Sequence, residues 1–433
     1  MLVVKNKAFI NAKTIFHKMF IISYNEHYNF TSSHISSTMN VKDEPYLKTQ
    51  LITYMGNKRK IIHCINDVIN EIKKELNSAS LTIADGFSGS GVVARLFTYH
   101  ASELYVNDLA GYSETLNKCY LSAPSTKESA LIETTIKRAN TYVDDQMKQT
   151  VGIPAELSYI SKYWSPSEDD GFKGLHSNER AYFTTENGRR IDYYMNFINT
   201  LDPKIKPYLL APLIVSCSIH NNTNGQFGAF YKDKDGDVGM YGGKNAVDFK
   251  RITQPITIEC PVLNTNTVTS KVIIERLDTN TWIKNIKDHF ITNKKQPLDV
   301  VYYDPPYNKH SYHTYYFLLD IINNWNVNEP IPATYRGQPK NWVKSPYNSS
   351  THAKKTFMEL LENTYAKYII ISYNNCGIIP LNELDELVAH FGEVMKIPID
   401  HKTYNKLKGL SNYKRTGEYK DVNEFLWVIK TNY

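Results

Sequence analysis

The run Leu81-Thr82-Ile83-Ala84-Asp85-Gly86-Phe87-Ser88-Gly89-Ser90-Gly91 begins as a short apolar strand and ends in a glycine-rich turn. Upstream, Ile61, Ile62, Ile65, Val68, Ile69, Ile72 and Leu76 recur at helical spacing, which predicts an amphipathic helix over 61–76. Downstream, Val92 to Tyr99 reads as a helix, and Leu104-Tyr105-Val106 as a second strand that closes at Asn107-Asp108. Strand, glycine turn, helix and a strand with a terminal acid together open a doubly wound α/β sheet. The same pattern returns late in the chain. Lys271–Leu277 is a strand ending at Asp278, and Leu298–Tyr303 is one ending at Asp304-Pro305-Pro306-Tyr307; Tyr368–Tyr373 and Glu424–Lys430 are two more.

Between the two halves, polar and aromatic stretches alternate. Ser165–Gly171 and Lys232–Asp237 are loops by composition, while Ile191–Asn199 and Pro207–Ile219 have helical spacing. This organisation predicts a sheet domain built from 41–110 plus 270–433, split by an insertion over 111–269. Residues 1–40 precede it as an appendage of unknown role, with Met19 and Met39 as alternative starts. The chain has 433 residues, 42% of them hydrophobic and 22% charged, with a formal charge of +6, values ordinary for a globular protein that permit a polyanionic partner without requiring one. Cys64, Cys119, Cys217, Cys260 and Cys376 form no Cys-x-x-Cys pair and have no histidines at zinc spacing, so reduced thiols, no metal and a cytoplasmic setting are expected. No apolar run reaches the ~18 residues of a membrane span.

Four stretches carry chemistry. An apolar strand delivers Asp304-Pro305-Pro306-Tyr307 to the carboxyl edge of the sheet, where ligands bind in open α/β folds. The Asp304 carboxylate can accept one hydrogen bond from a planar amine, and the backbone carbonyl of Pro305 a second. Pro306 stiffens the turn, and Tyr307 offers a ring on which an extruded base can stack. Phe87-Ser88-Gly89-Ser90-Gly91 lacks both the Lys-Ser/Thr of a phosphate loop and a third glycine at dinucleotide spacing. Gly89 and Gly91 there allow a ligand to approach the backbone, and Asp85 just before them can hold an amino-acid ammonium. Asp108 can bind the two hydroxyls of a ribose, and Asp278 can accept from an adenine amine. Before the first strand, Tyr54 within Tyr54-Met55-Gly56-Asn57-Lys58 can pack on a cofactor, and Lys58 can pair with a carboxylate.

In this order the four stretches resemble the Dam-type and restriction–modification N6-adenine DNA methyltransferases of the alpha group. Tyr54–Lys58 looks like their N-terminal motif, with Tyr where Trp is frequent. Phe87–Gly91 looks like their cofactor loop, Asn107-Asp108 like the acid after the second strand, and Asp304–Tyr307 like the catalytic tetrapeptide. Glu179-Arg180, Asn187–Asp192, Leu209–Ile214, Asn221–Gly225, Phe227–Lys232, Ser311–Tyr315 and Ile371–Asn375 are similar to further segments of that group. The resemblance covers Tyr46 to the C-terminus. It implies a class I methyltransferase-like doubly wound sheet with an inserted target-recognition domain. It also implies S-adenosyl-L-methionine as cofactor, held by Tyr54, Lys58, Asp85, Phe87, Gly89, Gly91, Asp108, Asp278 and Asp304. The implied substrate is double-stranded DNA, with a cognate restriction endonuclease as a functional rather than physical partner.

Asp at the head of the tetrapeptide favours adenine over an N4-cytosine enzyme, where Ser is usual, and over the RNA and glutamine methyltransferases, where Asn is common. A catalytically silent DNA-binding protein of the same fold is the alternative from another class. Phosphate contacts are expected from Lys232, Lys234, Lys244 and Lys250, and from Lys402, Lys406, Lys408, Lys414 and Arg415, which are interleaved with Tyr404 and Tyr413. Base contacts are expected in Asn221–Gln226 and Arg336–Lys344.

Overall fold

A computed structural model describes residues 41, 44–149, 153–169, 175–176, 178–233, 238–243, 246–309, 311–339, 345–399 and 422–433. The 1–40 appendage, Lys234, Lys244, residues 340–344 and the basic and aromatic residues expected at 402–415 therefore lie outside the described residues. Seven strands are present among those described: β1 (Leu81–Asp85), β2 (Ala101–Asn107), β3 (Lys271–Glu275), β4 (Leu298–Tyr303), β5 (Ala366–Asn374), β6 (Glu393–Ile399) and β7 (Glu424–Lys430).

They form one sheet in the order β3-β2-β1-β4-β5-β7-β6. The first five strands of the chain run parallel, with Ile83 opposite both Leu104 and Val300. β7 lies antiparallel between β5 and β6, with Ile371 opposite Trp427 and Glu424 opposite both Asn374 and Ile399. The order reverses between β1 and β4, and the crevice at their carboxyl ends is where open α/β sheets bind ligands. β7 runs the other way, so its first residue, not its last, reaches that edge.

Side chains alternate between two cores. Ile83, Leu104, Val300, Tyr302 and Ile370 face one layer of helices, and Ala84, Tyr105, Val301, Tyr303 and Ile369 face Trp282, Phe290, Phe357 and Leu360 on the other. The first of these cores does not stop at the sheet. It runs on through Ile132, Ile136, Ile191, Tyr194 and Leu213, so region 111–269 shares apolar packing with the sheet rather than burying a core of its own.

Three departures from the sequence reading have physical reasons. β6 carries Pro398, which argues against a central strand, yet β6 is an edge strand and has a free side for the missing N–H. Gly111–Tyr120 and Thr126–Met147 are helices inside a region read as polar. The second opens on a capping box, in which the Ser125 hydroxyl accepts from Glu128 N–H and the Glu128 carboxylate accepts from Ser125 N–H. Its buried face is narrow (Ile132, Thr135, Ile136, Ala139 and Val143), which masks the helical period.

A buried arginine joins the sheet to the segment before it. Arg95, on the helix Val92–Phe97, is 1% exposed. Its guanidinium donates to the carbonyls of Tyr46 and Thr49 at 3.0 Å and of Gln50 at 2.9 Å, and stacks on the Tyr120 ring at 3.8 Å. These bonds anchor the stretch that leads to Tyr54. Arg95→Met should strand three carbonyls and lower stability by about 3 kcal/mol, read as a lower urea midpoint at unchanged slope. A midpoint equal to wild type would show that the segment is held elsewhere.

Candidate active site

β1 ends at Asp85 and the chain turns at once through Gly89 (φ +50°) and Gly91 (φ +79°). These left-handed conformations suit glycine. A Cβ on Gly89 would sit 2.8 Å from the Tyr54 ring, and one on Gly91 2.9 Å from the Asn117 side chain. The loop is tied to the end of β2. Asp108 Oδ2 accepts from Gly89 N–H at 2.7 Å, and Oδ1 accepts from Ala110 N–H at 2.9 Å. Burial raises the Asp108 pKa against the effect of these two bonds. Tyr54 stacks on Tyr312 at 5.1 Å and on Tyr316 at 4.8 Å, so the N-terminal segment is clamped over the glycine loop.

These elements form a pocket that opens to solvent, lined in part by Tyr54, Phe87, Asp108, Asp278, Asp304 and Pro306. One face of the sheet edge thus collects residues from positions far apart in sequence. The pocket is also lined by Tyr112, Tyr312, His313, Tyr347 and Asn348, none of which the sequence reading singled out for chemistry. Tyr347 packs its ring edge-on to Phe87 at 5.3 Å and donates its hydroxyl to Asn280 Oδ1 at 2.5 Å. The Asn348 amide donates to the carbonyl of Asn308, directly after the tetrapeptide, at 2.7 Å. Residues 345–349 match no motif, and only the fold shows that they belong here.

Behind the pocket lies a cluster of buried charges. Lys58 is 3% exposed; its Nζ is 3.2 Å from Asp304 Oδ1 and 3.5 Å from Glu424 Oε1, near enough for charge pairing but off the line of a hydrogen bond. The same ammonium sits 5.4 Å from the centre of the Tyr307 ring. Burial alone would drive the Lys58 pKa down, but the Asp304 carboxylate, then Tyr307 and Glu424, hold it well above its usual value. Burial pushes the Asp304 pKa up to about 7; Lys58 pulls it down and Glu424 raises it further.

Several expected residues occupy other roles. Lys58 does not line the pocket; its ammonium faces two protein carboxylates, the counter-charge that a buried cation needs. Asp85 is fully buried beneath the loop and also does not line the pocket. Its Oδ1 accepts from Phe87 N–H at 3.3 Å, its Oδ2 has no hydrogen bond, and burial raises its pKa well above normal. Asp278 reaches the pocket but also caps the helix Thr279–Thr292, accepting from Thr281 N–H at 3.1 Å. Tyr307 packs edge-on against Tyr373 at 5.5 Å outside the pocket lining, whereas Tyr312 lines it.

The expected base readers divide. Asn221, Asn222 and Thr223 are fully buried and hold backbone together: Asn221 donates to Cys217 and Ser218 carbonyls, Asn222 to Ala181 and Met240 carbonyls. They are structural, and of this stretch Asn224 is the exposed residue. Arg336 is exposed, while Gln338 is occupied with the carbonyls of Gly228 and Thr314. Lys232 lies 3.6 Å from the Tyr335 ring centre.

The parallel sheet with its single reversed strand, together with a glycine loop and an acid at the ends of β1 and β2, defines a class I methyltransferase fold. Residues 54–238 match the family model of the D12 class N6 adenine-specific DNA methyltransferases. It is similar to type II methyltransferase M.NlaIII of Neisseria lactamica, 24% identical over 388 residues that cover 88% of this chain and 100% of the relative. It is also similar to type II methyltransferase M.CviAII of Paramecium bursaria Chlorella virus 1, 24% identical over 87% of this chain and 98% of the relative. Type II methyltransferase M.FokI of Planomicrobium okeanokoites is 26% identical over 87% of this chain, which spans 52% of that longer protein.

The geometry of the loop yields a direct expectation. Gly89→Ala combines a positive φ with a clash against Tyr54, and should weaken S-adenosylmethionine binding by about tenfold or more in calorimetry, given a strain of ~1–2 kcal/mol. Unchanged affinity would place the cofactor away from this loop.

Proposed function

We propose that this chain transfers a methyl group from S-adenosylmethionine to the N6 of an adenine at a specific site in double-stranded DNA, as the modification half of a restriction–modification system. The observation that carries the reading is Asp304. A carboxylate at the end of β4 lines the pocket beside the glycine loop, with 17% of its side chain open. Support for the paired system comes from relatives named as type II methyltransferases and modification methylases.

The residues present fit the cofactor. Asp108 places a carboxylate suited to ribose hydroxyls at the end of β2, and Phe87 and Tyr347 supply an aromatic wall suited to an adenine ring. Methyltransferases of this family generally use S-adenosylmethionine. When bound, it supplies an electrophilic methyl group on a sulfonium.

Asp304 accepts one N–H of the target amine and the Pro305 carbonyl accepts the other, which draws the nitrogen lone pair out of ring conjugation and towards the methyl group. The methyl group would come from the sulfonium, leaving a neutral thioether, and the proton that the methylated amine gives up would pass to solvent. The protein's contribution is positioning and fixed acceptors. The base must leave the helix stack to reach Asp304, at a cost of a few kcal/mol. Lys232 and Lys250 are candidates for phosphate contacts, and Asn224 and Arg336 for base contacts.

The test is transfer from labelled S-adenosylmethionine to unmodified DNA, followed by digestion and mass identification of the nucleoside. N6-methyladenine is expected; N4-methylcytosine, or no product from a folded enzyme that binds cofactor, overturns the assignment. Asp304→Ala should lower kcat by about a thousandfold or more while cofactor affinity and the circular dichroism spectrum hold. Activity within a few-fold of wild type would remove Asp304 from the reaction.

Asp304 must be ionised to accept the N–H. Because its pKa is pushed up to about 7, the protonated fraction grows as pH falls through that value, and kcat should decline on the acid side with a midpoint near 7. A flat profile from pH 6 to 8 would contradict an Asp304 acceptor with a raised pKa.

A further inference from the structure

Glu424 belongs to none of the stretches that the sequence reading tied to chemistry. It is the first residue of β7, and because that strand runs antiparallel, it reaches the same sheet edge as Asp85 and Asp304. A carboxylate there is 6% exposed and does not line the pocket. Its Oε1 lies 3.5 Å from Lys58 Nζ, the ammonium that also stands 3.2 Å from Asp304 Oδ1. One buried cation is therefore shared by two carboxylates, one facing the pocket and one behind it. If Lys58 had only Asp304 for a partner, the low-dielectric surroundings would favour a closed pair with the carboxylate's charge consumed.

We propose that Glu424 is a positioning residue that acts through Lys58: by taking part of the ammonium's charge, it leaves the Asp304 carboxylate strong enough to accept an N–H from the target amine. The proposal rests on the reading of Asp304 as that acceptor. The groups facing Asp304 are Lys58 from the N-terminal segment, Glu424 from β7, Asp85 from β1, Tyr302 from β4, Tyr307 from the tetrapeptide, and Tyr312 from the helix that follows. Tyr302, Tyr307 and Tyr312 all have raised pKa values and stay neutral at working pH, and Asp85 is pushed towards its neutral form. Lys58 and Glu424 are thus the two charges that set the acceptor's strength. The Glu424 carboxylate raises the affinity of Asp304 for a proton, and the ammonium opposes it.

The test is the titration of Asp304 itself, followed by carboxyl carbon-13 NMR in the full-length, cofactor-free protein with labelled aspartate, the signal assigned by its loss in Asp304→Asn. Glu424→Gln removes the charge and keeps the shape. Its Asp304 midpoint should fall by about one pH unit, because Lys58 then pairs with Asp304 alone. In the same variant kcat on its high-pH plateau, where Asp304 is ionised in both proteins, should drop about tenfold or more with KM for cofactor within about twofold of wild type, and Glu424→Asp should restore part of both.

An unmoved midpoint, or a loss confined to cofactor KM, overturns the proposal and leaves Glu424 as a counter-charge for a buried lysine. Should Glu424→Gln fail to fold, Glu424→Asp carries the test: it lengthens the contact with Lys58, so a midpoint between wild type and that of full charge loss is expected and an unchanged one is fatal. The NMR readout needs no substrate. Wild-type enzyme that modifies a different base would therefore sink the proposed function while the Glu424 result remained readable.

Discussion

A lysine ammonium cannot be taken out of water without counter-charge, and the burial of Lys58 organises the site around that constraint. Its two partners come from different strands of the sheet: Asp304 at the end of β4 and Glu424 at the start of β7. Satisfying one cation thus locks together the segment before the first strand, the middle of the sheet and the last strand of the chain. The lysine also faces the Tyr307 ring, so two of the four tetrapeptide residues are referenced to the same charge. Loss of Lys58 leaves two carboxylates without their counter-charge, a penalty larger than the attraction that a pairwise view would assign.

The reversed strand makes this possible. In an all-parallel sheet, the residue at the ligand-binding edge of the seventh strand would be its last, Lys430, and a second cation there would repel Lys58. Running β7 backwards brings Glu424 to the edge and sends Lys430 to the far side, where it pairs with Glu75. The local preference for a carboxylate and the topology of the fold are thus mutually consistent, as expected of a sequence with one dominant packing.

What could be read in advance follows the range of the signal. The strands carrying Asp85, Asp304 and Glu424 were visible because buried strands are continuous apolar runs. The glycine loop was visible because positive φ favours glycine, and both Gly89 and Gly91 use it. Asp108 stands at the expected strand end, though its carboxylate also holds the loop through Gly89 N–H. Long-range pairing was not visible. Nothing near Lys58 in sequence says that its partner is Glu424, and nothing near Tyr347 says that it packs on Phe87. Polar residues misled for the opposite reason: Asn221 and Asn222 look like readers of a polar ligand, but a buried backbone also needs donors, and they are spent on carbonyls.

The insertion shows the same dependence at larger scale. Its helices share a core with the sheet, and its loop at 221–226 touches the N-terminal segment, where Gln226 reaches Met55 Sδ at 3.6 Å and a Cβ on Gly225 would lie 2.7 Å from Thr53. Thr53 and Met55 flank Tyr54, which in turn covers Gly89. The segment 53–58 thus lies between the loop at 221–226 and the glycine loop, touched by the first through Thr53 and Met55 and covering the second with Tyr54. Its fixed points are Arg95 at one end and the shared ammonium at the other.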